Sequence, residues 1–313
     1  MLNKVLITGG AGFIGSHIAD KLLENNYKVV ILDNLSSGSL DNLQNSDNLK
    51  LYRVNIEKDN LEDIFEVEKP DYVIHLAAQT SVNYSISNTY YDADMNIMAT
   101  IRLLDVCKRY NIKKFITASS AAVYGNPKYL PIDENHPTEP MSPYGLSKLT
   151  MEKYIQLSGV PYIIFRFSNA YGPRQRSSKE SGVVAIFDKA MKENATINIY
   201  GDGTQIRDFI YVEDIAQIAV KMLKSEIQDE IFNFSTNKGI NLNELFERMS
   251  KIYGYQKSPN YLPERAGDIK DSILSNEKIC SKFKDINFTE IQTGLNKLRG
   301  ELNAESISIN ACI

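Results

Sequence analysis

The chain has 313 residues, 43% of them hydrophobic and 24% charged, which fits one large folded α/β domain or two and not a disordered chain. Its formal net charge of −4 offers no basic field for nucleic acid or anionic lipid, so neither is expected as a partner. No apolar run approaches membrane-spanning length, and the opening run Val5-Leu6-Ile7 is too short for a signal peptide, so the expectation is a cytoplasmic protein.

In chain order, short β-branched runs alternate with amphipathic segments. The strand-like runs are Val5–Ile7, Val29–Leu32, Leu49–Val54, Tyr72–Ile74, Phe115–Thr117 and Tyr162–Phe165. Between the first two, Ile14, Ile18, Leu22 and Leu23 repeat with helical period, as do Ile97, Ile101, Leu104 and Cys107 further on. In "SPYGLSKLTMEKYIQ", Ser142 predicts an N-cap and Pro143 the first helical position. This alternation predicts a doubly wound parallel sheet of Rossmann type, covered on both faces. Beyond residue 168 the pattern loosens. Segments near 183–193, 213–224, 242–253 and 289–298 read as helices, "TINIYG" and "IFNFS" as strands, and the tail "GELNAESISINACI" as no regular element. The expected division is a dinucleotide-binding domain over 1–168 and about 208–236, with a smaller α+β domain over about 169–207 and 237–313.

Three scattered cysteines, Cys107, Cys280 and Cys312, and three scattered histidines form no metal-ligand spacing, so no metal is expected. The glycine cluster in "LITGGAGFIGSHIADKLL" fits two spacings, Gly9/Gly12/Gly15 and Gly10/Gly12/Gly15. Either lets backbone approach a pyrophosphate at a helix N-terminus. An isolated glycine motif is equally an ordinary turn. Here it follows a strand, opens a helix, and stands eighteen residues before Asp33 at the end of the next strand, where a carboxylate can accept from ribose hydroxyls. Asp33 could also be a turn-capping residue, and the two roles coexist. With no arginine in the following "NLSSGS", the residues favour NAD over its phosphorylated form.

Tyr144 and Lys148 stand four apart on the segment after Ser142, hence on one helical face. A phenol near pKa 10 is a poor base at neutral pH unless positive charge favours the phenolate. Taken alone the pair is a surface tyrosine beside a solvated lysine.

Taken together, "TGGAGFIG", "HLAAQTSV", "SSAAVYG", "SPYGLSK", "RFSNAYGPRQ", "YGDGTQIRDFIYVEDIA" and "ERAGDI" resemble the extended short-chain dehydrogenase/reductase family, of NAD-dependent epimerase/dehydratase type. The resemblance runs from residue 8 to about 270. It implies Tyr144 as catalytic base, Lys148 as the ribose contact that lowers the Tyr144 pKa, and Ser120, four residues before Tyr124, as the catalytic hydroxyl. It implies cofactor contacts at Gly9, Gly12, Phe13, Ile14, Gly15, Asp33, Asn34, Asn55, Ile56, Leu76, Ala77, Ala78, Gln79, Asn96 and Ser168. For a UDP-sugar it implies contacts at Ser81, Asn169, Val183, Ile199, Tyr200, Arg207, Arg265, Asp268 and Ser272, and it implies a homodimer through helices near 88–110 and 144–158. The family's dehydratases carry an Asp-Glu pair after the catalytic hydroxyl, and its decarboxylases a glutamate. Ala121 and Ala122 stand there instead and can transfer no proton. The expected activity is a UDP-sugar 4-epimerase of the UDP-glucose type. Ser272, small where the family uses bulk against N-acetyl sugars, extends that expectation to UDP-GlcNAc and UDP-GalNAc. The rival readings are a UDP-glucuronate epimerase or decarboxylase, and a non-catalytic NAD-binding regulator.

Overall fold

A computed structural model describes residues 2–177, 182–264 and 269–310, with side chains as far as Gly300. Strands β1 (Lys4–Thr8), β2 (Lys28–Asp33), β3 (Leu49–Arg53), β4 (Tyr72–His75), β5 (Lys114–Ser120) and β6 (Tyr162–Phe167) form one sheet with a late strand, Glu230–Phe234. Every pairing in it is parallel. That follows from strands that are apolar almost throughout: Val5, Leu6 and Ile7 are fully buried, and neither face meets water.

The sheet order is Glu230–Phe234, β6, β5, β4, β1, β2, β3. Winding reverses between β1 and β4, so the loops after these two strands open a crevice at the sheet's C-terminal edge, the usual ligand site of such sheets. Helix α1 (Phe13–Glu24) packs on one face through Ile18 and Leu22, next to Val212–Lys224. The other face is covered by Glu62–Glu68, by Ala99–Arg109, and by Pro143–Leu157, which contributes Met151 and Ile155.

The last of these helices begins as its sequence predicts. Ser142 Oγ accepts from Gly145 N at 3.1 Å and Pro143 occupies the first turn. The helical stripe predicted over Ile97–Cys107 is rotated: Leu104 and Cys107 are buried, whereas Ile97 and Ile101 are only half-buried. A π-helical turn at Asp94–Met98 precedes Ala99 and resets the phase of the stripe.

Asn169–Tyr171, Ile206–Tyr211, Gly239–Asn241 and Asp271–Ser272 form a second, smaller sheet. Its core gathers Phe187, Phe209, Leu245 and Leu295. Strand 206–211 pairs within this sheet, while Glu230–Phe234 returns to the large one. The final helix, Ile291–Asn310, continues into the tail expected to be irregular. Once Leu295 and Leu298 are buried, extending the helix needs no new nucleus.

Candidate active site

Most of the predicted cofactor residues border the crevice, just past the ends of parallel strands or in the first turn of α1, whereas Asn96 sits on the π-helical turn at Asp94–Met98. After β1, Gly9 adopts φ +69°, and a Cβ there would lie 2.8 Å from Ala77 N in the loop after β4. At Gly15 a Cβ would stand 2.3 Å from the Gly9 carbonyl oxygen. Of the two glycine spacings, the one beginning at Gly9 therefore carries the left-handed turn. Gly12 caps α1 without any side-chain acceptor, and the first turn holds no acid. The helix start thus presents N–H groups and no competing charge, which suits a pyrophosphate.

Asp33 is buried and braces this loop: Oδ2 accepts from Ala11 N at 2.9 Å and Oδ1 from Leu35 N at 2.8 Å. A carboxylate held this way keeps lone pairs for ribose hydroxyls. Beside it, Asn34, Ser36, Arg53, Val54 and Asn55 line a cavity of about 290 Å³. Asn34 Nδ2 donates to Asn55 Oδ1 at 2.8 Å, which joins the ends of β2 and β3. Arg53 is the register partner of Asp33, a neighbour that sequence spacing could not reveal. Ser168, just past β6, has a buried hydroxyl oxygen with no hydrogen-bond partner among the described residues. An orphaned hydroxyl at a predicted cofactor contact fits a bound group completing it. The glycine cradle, Asp33 and Ser168 together fit NAD.

Thr8 Oγ1 accepts from Leu76 N and Ala77 N, both at 3.2 Å, so the loop after β4 is tied to the end of β1. Gln79 turns inward, where its amide nitrogen donates to Asp92 Oδ1 at 2.6 Å and its backbone N–H to Asn96 Oδ1 at 2.9 Å. Phe13 and Ile14 are half-buried in the first turn of α1, Ile56 is buried, and Ala78 is half-buried.

The three predicted catalytic residues meet at the end of β5. Ser120 Oγ accepts from Ala122 N at 3.1 Å and lies close enough to the Tyr144 phenol to act on it. Tyr144 N in turn donates to Ser85 Oγ at 3.1 Å. Burial raises the Tyr144 phenol above its ordinary pKa, and the nearby Ser120 hydroxyl opposes this. Lys148 is buried, which lowers it to about 8, against the pull of Asp92 and Glu152. Its Nζ lies 5.9 Å from the Tyr144 ring centroid and donates to the Ala118 carbonyl at 3.0 Å. The ammonium is therefore aimed at strand β5 and does not touch the phenol.

Ser119 faces the other way and donates to Glu152 Oε1 at 2.5 Å. Its hydroxyl is thereby spent on the helix and not on the crevice.

Of the residues expected to contact a nucleotide-sugar, Asn169, Arg207 and Ser272 lie on the small sheet, and Ile199 and Tyr200 lie on a separate two-stranded sheet. Arg207 and Ser272 are register partners, and Asn169 pairs two residues further along the same strand. Asn169 Nδ2 donates to Asp208 O at 3.0 Å, and Arg207 donates to the carbonyls of Ile206, Ile269 and Lys270. Ser81 caps Val82–Ser87 by accepting from Tyr84 N. Val183 opens Val183–Lys192, and Tyr200 is half-buried. Ile199 places its side chain in the core at 1% exposure, so only its backbone remains for a ligand. Arg265 and Asp268 lie outside the described residues.

The model of the NAD dependent epimerase/dehydratase family matches residues 5–234. The chain belongs to that family. As a member it uses NAD, in keeping with the cradle described above. The chain is 44% identical over 270 residues to a putative UDP-glucose 4-epimerase of Methanocaldococcus jannaschii, covering 85% of this chain and 87% of that protein. It superposes at TM-score 0.91 on the UDP-glucose 4-epimerase of Thermotoga maritima solved with UDP-glucose, at 40% identity, covering 97% of this chain and 99% of that one. A UDP-N-acetylglucosamine 4-epimerase of Methanobrevibacter ruminantium, solved with UDP-N-acetylmuramic acid, matches at TM-score 0.91 and 35% identity, covering 97% of this chain and all of that one. Among the described residues, no helix of this family member is long and apolar enough to cross a membrane.

Two features of the site were beyond the sequence reading. The contact of Gln79 with Asp92 and Asn96 is tertiary, between the loop after β4 and the helical run from Thr89. The burial of Glu152 had a sequence signal, since Tyr144, Lys148 and Glu152 recur at intervals of four on one helical face.

Proposed function

We propose that the protein is a UDP-sugar 4-epimerase acting on UDP-glucose and UDP-galactose. The observation that carries this is Ser120 at the strand end beside the buried Tyr144, followed by Ala121 and Ala122. The site supplies one proton acceptor with its hydroxyl partner and nothing beside them that could eliminate water.

Tyr144 as phenolate takes the proton of the sugar 4-hydroxyl, and Ser120 holds that oxygen. Bound in the glycine cradle, NAD supplies a reversible acceptor for the C4 hydride and a positive ring charge that favours the phenolate. Lys148, anchored on Ala118 O, places its ammonium for the cofactor's ribose. Asn169 and Arg207, with Arg265 and Asp268, hold the UDP, and guanidinium groups suit its phosphates. The UDP contacts would keep the 4-keto sugar tethered so that it could turn and offer its other face to the hydride held by the reduced cofactor, and Tyr144 would return the proton to the 4-oxygen.

Ser272, half-buried opposite Arg207, supports acceptance of UDP-GlcNAc and UDP-GalNAc as well. The two sheets support a division into a cofactor domain and a nucleotide-sugar domain, with a second copy of the chain as partner.

An NMR assay of a UDP-sugar panel tests the reading. The expected result is interconversion of glucose and galactose configurations at C4. Release of carbon dioxide from UDP-glucuronate would overturn it, and inertness toward UDP-GlcNAc would remove the N-acetyl extension. Tyr144→Phe is expected to lose about 10²- to 10⁴-fold in turnover while keeping NAD, and undiminished turnover would exclude Tyr144 as the base.

A further inference from the structure

Beneath the catalytic helix lies a buried polar cluster that joins two implied cofactor contacts, Gln79 and Asn96, to Asp92, an acid to which the reaction above gives no task. Asp92 and Asn96 are each 1% exposed and stand four residues apart. Asp92 Oδ1 accepts from Gln79 Nε2 at 2.6 Å and from Asn96 Nδ2 at 3.3 Å. Asn96 Nδ2 also donates to the Gln79 carbonyl and to Ser147 Oγ, both at 3.0 Å. The Ser147 hydroxyl donates to the Tyr144 carbonyl at 3.0 Å, which carries the cluster into the first turn of the catalytic helix.

A carboxylate buried among neutral amides is costly unless a cation lies within range. Two buried cations stand on the neighbouring elements. Arg166 is engaged, since its guanidinium grips Glu152 in a fork at 3.0 and 2.6 Å. Lys148, 4% exposed, donates to a neutral carbonyl and has no carboxylate within ion-pair distance among the described residues. We propose that Asp92 is the buried counter-charge of the Tyr144–Lys148 pair, a positioning residue that holds the Gln79–Asn96–Ser147 cluster against the helix and biases both groups toward keeping their protons. This rests on the epimerase reading given above.

The field of Asp92 reaches both groups. It supports the Lys148 ammonium against burial, and it adds to the burial that raises Tyr144. The other ionisable neighbours are accounted for. Glu152 acts on Lys148 but is forked by Arg166. His75, lowered by burial to about 3, sits neutral between Thr8 and Thr100. Glu57 and Asp94 act on Tyr91, which is more exposed. Removing the Asp92 charge makes a proton easier to lose from both members of the pair. Each group loses the same negative neighbour, so both limbs of the pH profile move the same way.

The test compares wild-type and Asp92→Asn holoenzymes for kcat/KM on UDP-glucose across about pH 5 to 10. Tyrosine labelled at ¹³Cζ is followed by NMR alongside, and the Tyr144 signal is assigned by its loss in Tyr144→Phe. The expected result is an acidward shift of both limbs by about one unit, matched by a lower Tyr144 titration midpoint. Limbs that stay in place while activity falls, or that move to higher pH, overturn the proposal and leave Asp92 a packing residue. If the wild type turns over no UDP-sugar, the epimerase reading fails instead, and the Tyr144 midpoint alone decides the role of Asp92. Should Asp92→Asn fail to fold, Asp92→Ser removes the charge without adding a donor and is read the same way.

Discussion

At Gly15 two backbones meet. A Cβ would stand 2.3 Å from the Gly9 carbonyl oxygen and 2.8 Å from Gly10 Cα, and both obstacles are main chain. A rotamer change cannot relieve such a clash, so Gly15→Ala must push α1 away from the loop. Overpacking of this kind costs about 1–3 kcal/mol. It also moves the N–H groups that face the pyrophosphate. The expected outcome is a lower urea midpoint together with a fall in NAD affinity by titration calorimetry. If the variant kept wild-type affinity, α1 and the loop would not act as the rigid cradle. This residue was legible in the sequence, because its spacing from Gly9 and Gly12 after a strand, with Asp33 ending the next strand, sets it in the first turn of a phosphate-facing helix. The orphaned hydroxyl of Ser168 was not, since it depends on what fails to approach it.

Helix Pro143–Leu157 carries Tyr144 and Lys148, and what fixes it against the sheet is a buried ion pair further along. Glu152 is 0% and Arg166 5% exposed at the side chain. Ser119 donates to the same carboxylate, and Arg166 Nη1 donates to Tyr124 OH, which donates to Asn233 Oδ1. Strands β5, β6 and Glu230–Phe234 are thereby tied to one helical turn. Removing one partner strands a buried charge, at about 3–5 kcal/mol. Replacing both with apolar residues removes that penalty. In urea titrations Glu152→Gln is expected to lose this much stability, and Glu152→Leu with Arg166→Met to lose less than either single change. A single variant that lost under about 1 kcal/mol would show that the pair does not hold the helix. The strands and this helix were legible because their periods and cap are local. The π-helical turn at Asp94–Met98 was not. It rotates the stripe of the following helix by packing against Gln79 and Ser147, which are distant in sequence.

The whole molecule leaves one face of its catalytic helix uncovered. Leu146 is 55%, Tyr154 46% and Leu157 84% exposed on that helix, beside Tyr90 at 85% and Met98 at 51%. Thr89–Ala93 packs directly against Pro143–Leu157, so these side chains belong to one surface. A cluster of large apolar side chains on two adjacent helices is more than the scattered exposure of an ordinary monomer. The dimer proposed above would use this face, with the same patch on both partners, as two-fold symmetry requires. The assembly and the chemistry then share an element, for Leu146 points outward between the inward-facing Tyr144 and Lys148. Leu157→Glu combined with Tyr90→Lys is expected to shift the sedimenting species from two chains to one at micromolar concentration. Both positions are far more exposed than the buried core, so the fold itself is expected to survive the change. Turnover is expected to fall in the separated chains because the catalytic helix loses its outer support, while NAD, held by the far side of the crevice, stays bound. A wild-type protein that sediments as one chain, or a double variant that remains paired, would place the partner elsewhere.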